Sequence, residues 1–127
     1  MYVVGHSMGG GAAAILARAM PEALAGVVAI AGVPQRLGPG PIPPLLAIAA
    51  ERDGLIPPAG ILRMIAGATQ AGLPVASVVA PAAGHTTVVN VSLPAAMAWL
   101  ARHTRNAPGP LTPPEPAELL TGRPVTP

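Results

Sequence analysis

The stretch Val3-Val4-Gly5-His6-Ser7-Met8-Gly9-Gly10 constrains the fold more than any other part of this sequence. Two valines lead into a Gly-x-Ser-x-Gly turn, and the turn runs directly into an alanine-rich segment that reads as helix. Gly5 and Gly9 flank Ser7 two residues away on either side. A Cβ there would crowd the chain where strand and helix pass, and φ at such positions can need to be positive. The helix aims its N-terminus back at the serine, so the Met8 backbone N–H faces any anion that forms there.

Further strand and helix signals alternate along the chain. Tyr2 to Val4 reads as a short strand, and Met8 to Met20 as a helix with Ala13, Leu16, Ala17 and Met20 on one face. Pro21 ends it. Leu24 to Ala31 and Leu45 to Ala50 are apolar throughout, the pattern of parallel strands buried on both sides. Between them, residues 32–44 contain five prolines and three glycines, which excludes a regular helix or a central strand. Pro57 and Pro58 suit a helix start, with Ile61, Leu62, Ile65 and Ala66 as its inner face and Gly72 as its stop. Val75 to Ala80 reads as a fourth strand. Ser92 is then expected to cap a last helix reaching about Arg102, with Met97 and Leu100 turned inward and Trp99 partly so. This alternation predicts an α/β fold with a parallel sheet. Residues 1–103 make one domain. Residues 104–127 hold seven prolines and little periodicity, so they read as a disordered or loosely packed tail.

Composition narrows the function classes. Half of the residues are apolar, yet there is no Phe, one Trp and one Tyr, so small aliphatic side chains must build the core. All seven cations are arginines scattered along the chain, and the net charge is only +2, which argues against a nucleic-acid surface. Gly or Pro interrupts every apolar run before the roughly 18 residues needed to span a bilayer, so the chain reads as soluble. There is no cysteine. The three histidines and five carboxylates are not spaced as metal ligands, and Gly9-Gly10-Gly11 lacks the Lys-Ser/Thr ending of a phosphate loop. No cofactor or metal is expected.

In a parallel sheet, reactive groups gather beyond the carboxyl ends of the strands. Ser7 follows the first strand, Asp53 the third and His85 the fourth, all at that edge. Asp53 is the only aspartate, and it sits in an Asp-Gly turn that would account for it without chemistry. His85 has two competitors. His6 is expected to point its side chain away from the turn, and His103, at a helix end, to serve the helix dipole or meet solvent. The order Ser, Asp, His fits a nucleophile elbow on an α/β sheet. In that scheme Ser7 is the nucleophile, His85 the general base, Asp53 its orienting acid and the Met8 N–H an oxyanion donor.

On Gly5-His6-Ser7-Met8-Gly9-Gly10-Gly11, the Asp53 turn and Gly84-His85, the sequence resembles the C-terminal half of the α/β-hydrolase superfamily. The separations, 46 residues from Ser7 to Asp53 and 32 from Asp53 to His85, look like compact lidless members: cutinase-like polyester hydrolases and dienelactone-hydrolase-like enzymes. The His-Ser-Met-Gly-Gly-Gly run is shared with the cutinase-like group. Resemblance runs from Tyr2 to about Arg102 and implies a partial α/β-hydrolase fold, with about four parallel strands and helices on both faces. It also implies cleavage of small-molecule or polymeric carboxylic esters through an acyl-enzyme, with thioesterase or amidase chemistry as an alternative on the same residues.

The sequence departs from the family's pattern in two places. The loop Gly32-Val33-Pro34-Gln35 lacks the aromatic residue usual in cutinase-like enzymes. The superfamily's strands before the elbow, one of whose loops supplies a second oxyanion N–H, have no counterpart before Tyr2. The second departure raises another expectation, of a hydrolase half impaired without its N-terminal half. It also leaves the elbow strand as an open edge that favours self-association.

Overall fold

A computed structural model describes residues 1–103 and 111–121. Four strands, β1 (Tyr2–His6), β2 (Gly26–Ile30), β3 (Leu45–Ala50) and β4 (Val75–Ala80), form one parallel sheet in the order β1-β2-β3-β4. Helices α1 (Met8–Ala19) and α2 (Pro58–Gln70) cover one face, α3 (Thr87–Arg102) covers the other, and a single turn, α4 (Glu118–Thr121), packs on α3.

Alternation along the strands divides the core in two. Val28, Ile30, Leu46, Ile48 and Val78 meet α3, while Val27, Leu45, Ala47, Ala49 and Val75 meet α1 and α2. The central strands β2 and β3 are buried at every residue, as their unbroken apolar runs require. β1 is different. Only β2 pairs with it among the described residues, and Tyr2 and Val4 are 47% and 38% exposed. No described helix is long and apolar enough to cross a membrane.

Close approach dictates the inner face of α1. A Cβ on Gly10 would lie 2.6 Å from Gly32 Cα, so only small residues fit against the sheet. Ala13, Ala14 and Ala17 are buried, whereas Leu16 and Met20, expected on the inner face, turn to solvent. On α2, Ile61, Ile65 and Ala68 are buried, and Leu62 and Ala66 are exposed. The connection 32–44 replaces a crossover helix. Leu37 and Ile42 anchor it in the α1/α2 core, and the Gln35 N–H meets Met64 Sδ at 3.2 Å, so it lies down on the helices. A cleft of about 870 Å³ between α1 and α2 is lined by Arg18, Gln35, Arg36, Arg63 and Met64, with no contribution from Ser7, Asp53 or His85.

The structure corrects the reading of α3. It begins at Thr87, five residues before the expected cap, and Ser92 lies buried inside it with an unpartnered Oγ. Val88, Val89 and Val91 are poor helix formers by propensity, but burying Val88 completely against the sheet outweighs the few tenths of a kcal/mol each costs. Met97 is 57% exposed, and Trp99 is fully buried.

Where a loose tail is expected, residues 111–121 return to the core. Trp99 Nε1–H donates to the Thr112 carbonyl at 2.9 Å, and Leu119 is fully buried in the α3-side cluster. The Glu118 carboxylate accepts the Glu115 N–H at 2.8 Å and so closes the turn that starts α4. One indole N–H needing an acceptor and one leucine needing cover tie down a proline-rich segment. Residues 104–110 and 122–127, the rest of the expected tail, lie outside the described residues. Leu119→Ala is expected to cost about 2 to 4 kcal/mol. Urea unfolding followed by Trp99 fluorescence measures it, and an unchanged midpoint would show that the segment does not contribute to the core.

Candidate active site

Ser7 is held in a conformation that serines avoid. Its φ and ψ are 60° and −118°, a backbone state that costs a non-glycine residue about 1 to 3 kcal/mol. Hydrogen bonds over-determine it. The Ser7 N–H donates to Ile30 O at 3.0 Å, and the Ser7 carbonyl accepts from Gly10, Gly11 and Val33 at 3.0, 3.2 and 3.1 Å. Ser7 is also the residue preceding α1, where a serine oxygen ordinarily caps the helix, but its Oγ makes no such bond. The Oγ lies 2.9 Å from His85 Nε2 instead. Strain and a forgone cap both point the hydroxyl outward to the imidazole. Met8, the expected oxyanion donor, is the first residue of α1.

Of the two elbow glycines expected from the motif, the structure supports one on steric grounds. A Cβ on Gly5 would lie 2.1 Å from Gly9 O, while one on Gly9 would meet nothing within 4 Å. The role given to Gly9 passes to Gly10, whose close partner is Gly32.

Asp53 does two jobs, one with each oxygen. Oδ1 accepts the Leu55 and Ile56 N–H groups, both at 2.8 Å, which is the turn role its Asp-Gly context suggested. Oδ2 lies 2.8 Å from His85 Nδ1. A carboxylate can only accept, so Nδ1 carries the proton and Nε2 is free to accept from the Ser7 hydroxyl. The Asp53 side chain is fully buried and that of His85 is 15% exposed. Burial alone pushes the Asp53 carboxyl up; the Ile56 N–H, the His85 ring and the Leu55 N–H together outweigh it and hold the group below its ordinary value.

A depressed carboxylate contributes stability that is fully present above its unfolded value, about 3.9, and is lost as pH falls through the lower folded value. Asp53→Asn is therefore expected to remove part of the acid-side loss of stability, read as thermal midpoint against pH. It is also expected to slow any Ser7-dependent reaction about 10³- to 10⁴-fold at neutral pH. Wild-type rate in the variant would separate Asp53 from the chemistry.

The loops carrying Asp53 and His85 are laced together: Arg52 N–H donates to Ala83 O at 2.8 Å, and Ala82 N–H to Glu51 Oε1 at 2.9 Å. β1 runs two residues past the Val4 end that the sequence predicts. β1 includes His6, so Tyr2, Val4 and His6 share the α3-side face, the side on which the His85 loop runs into α3. His6 Nε2 lies 2.7 Å from the His85 carbonyl oxygen, so its side chain does not leave the site as the sequence pattern predicts. His103 Nδ1–H donates to Trp99 O at 3.0 Å, at the C-terminus of α3, and its ring stacks on the indole.

Among solved structures, esterase PE8 matches over 80% of this chain at 25% identity, with a TM-score of 0.69. The chain has part of the α/β-hydrolase fold. An S-formylglutathione hydrolase from Staphylococcus aureus (TM-score 0.57, 19% identity, 69% of this chain) and a thermostable esterase (0.61, 18%, 82%) share it. This α/β-hydrolase segment spans 49%, 45% and 31% of those three proteins. No protein-family description and no curated protein matches it.

Proposed function

We propose that this α/β-hydrolase segment carries the catalytic centre of a serine hydrolase acting on carboxylic esters. The observation that carries the reading is the hydrogen-bonded line Ser7 Oγ, His85 Nε2, His85 Nδ1, Asp53 Oδ2, with Ser7 strained to expose its hydroxyl. The esterases among its structural neighbours support the choice of substrate.

Ser7 Oγ attacks the ester carbonyl carbon while its proton passes to His85 Nε2, and the Met8 N–H faces the oxygen that becomes negative. His85 then protonates the departing alkoxide as its C–O bond breaks, leaving an acyl-serine and a free alcohol. A water, deprotonated by His85, attacks the acyl carbon. His85 returns the proton to Ser7 Oγ, and the carboxylic acid leaves. Asp53 stays ionised throughout and stabilises the imidazolium. Thioesters and amides would follow the same steps with a thiol or amine departing, and relative rates on matched substrates distinguish them.

The test is a fluorophosphonate probe on the purified chain, followed by peptide mapping. Label on the Ser7 peptide supports the reading; label elsewhere, or none, sinks it.

The open edge of β1 favours a second reading, in which the segment turns over only with further polypeptide, such as the N-terminal half of the fold, paired along that edge. Such a neighbour would bring a second oxyanion N–H, and losing one such donor costs about 10²- to 10³-fold. Ester turnover that tracks the monomer peak from a sizing column would count against it.

A further inference from the structure

We propose that His6 is a positioning residue that holds His85 over Ser7, an inference that rests on the reading of Ser7 as nucleophile. Ser7 leaves the end of β1 and His85 hangs from the loop after β4, and these are opposite edges of the sheet. Neighbouring strands lie about 4.8 Å apart, so three spacings separate the two edges by about 14 Å. The 2.9 Å contact between His85 Nε2 and Ser7 Oγ therefore depends on a loop that crosses over the ends of β2 and β3. Asp53, arriving from β3, holds the far nitrogen of the imidazole but not the backbone it hangs from.

His6 holds that backbone. Its Nε2–H donates to the His85 carbonyl at 2.7 Å. The acceptor is available because α3 starts irregularly: the Val88 N–H goes to Gly84 O at 3.1 Å and the Val89 N–H to Thr86 O at 3.3 Å, skipping the carbonyl between. The two imidazole rings also meet, with centroids 5.0 Å apart and planes at 38°, which restricts rotation of the His85 ring.

The position of the brace matters as much as its length. β1 is a half-exposed edge strand, the part of a sheet with fewest contacts to hold it. His6 immediately precedes Ser7, and its register partner Ile30 also accepts the Ser7 N–H. A shift of β1 thus moves nucleophile and brace together, and the His85 loop follows. Without His6, the same shift would open the gap between Ser7 Oγ and His85 Nε2 directly.

Two variants separate the hydrogen bond from the ring. His6→Phe keeps a ring and removes the donor; His6→Gln removes the ring and keeps an N–H at nearly the same reach. In fluorophosphonate inactivation, His6→Phe is expected to lower the limiting rate about tenfold to a hundredfold with the concentration dependence unchanged, because misplacing a reacting group by about 1 Å has that effect. His6→Gln is expected to recover most of the rate. The far-downfield proton resonance of the His85–Asp53 hydrogen bond should stay sharp in wild type and His6→Gln and broaden in His6→Phe, with thermal midpoints alike. A wild-type rate and sharp resonance in His6→Phe would overturn the proposal, as would a His6→Gln variant that folds yet is as slow as His6→Phe. If wild type is not labelled at Ser7, the hydrolase reading fails instead, and the resonance still decides the brace: equal sharpness in wild type and His6→Phe refutes it.

Discussion

Ser7→Ala is expected to abolish fluorophosphonate labelling and to lower p-nitrophenyl acetate hydrolysis by as much as about 10⁶-fold. The loss is this large because the proposed mechanism uses Ser7 and His85 as one unit: the imidazole has no proton to take once the hydroxyl is gone. Alanine keeps the strained backbone, so stability should move little. Ser7→Gly is equally inactive but relieves the φ of 60°, and it should be more stable than Ser7→Ala by at least about 1 kcal/mol, a rise of roughly 4 °C in thermal midpoint. Such strain, held in place by the surrounding hydrogen bonds, is what the proposed nucleophile would require. Labelling that survives Ser7→Ala would end the assignment. Equal midpoints for the alanine and glycine variants would show that the elbow is not strained.

Gly5→Ala is expected to leave no stable fold. The added Cβ would sit 2.1 Å from Gly9 O, 2.5 Å from Gly9 C and 2.9 Å from Gly10 N, all backbone atoms in the first turn of α1. No rotamer change can clear them, so helix and strand must separate, opening the Ala13, Ala14 and Ala17 contact with the sheet. A cost above about 4 kcal/mol is expected, against a total stability of about 5 to 15 kcal/mol for an ordinary domain. Circular dichroism melts should show a collapsed or absent transition. Gly9→Ala is the matched control: its Cβ meets nothing within 4 Å, and alanine in a helix gains up to about 1 kcal/mol over glycine. Similar melts for the two variants would contradict the close approach of β1 and α1.

Much of this architecture can be read along the chain because it rests on local pattern. β2 and β3 announce themselves as unbroken apolar runs, and Gly5-His6-Ser7-Met8-Gly9 joins a strand to a helix through a turn with few alternatives. Asp53 and His85 could be placed at the same edge as Ser7 because each follows a strand of one parallel sheet. Their order along the chain says nothing of the distances between them. The start of α3 at Thr87 is not legible in the chain because Thr87 to Val91 has the β-branched character of a strand, and only the burial of Val88 reveals which preference prevails. The burial of Leu119 and Trp99 is hidden for a related reason: a leucine among prolines carries no period, and the α3 residues it packs against lie across a connection that has no pattern of its own.

The sequence by itself determined the parallel α/β layering, the elbow, and which serine, aspartate and histidine could act together, since periodicity, turn chemistry and strand order are properties of neighbours in the chain. Tertiary structure alone decided that one Asp53 oxygen holds the turn while the other holds His85, that Gly10 and not Gly9 is the second obligatory glycine, and that His6 reaches the His85 backbone. Each of these depends on where two distant segments come within a few ångströms of each other, and that is set by packing across the sheet.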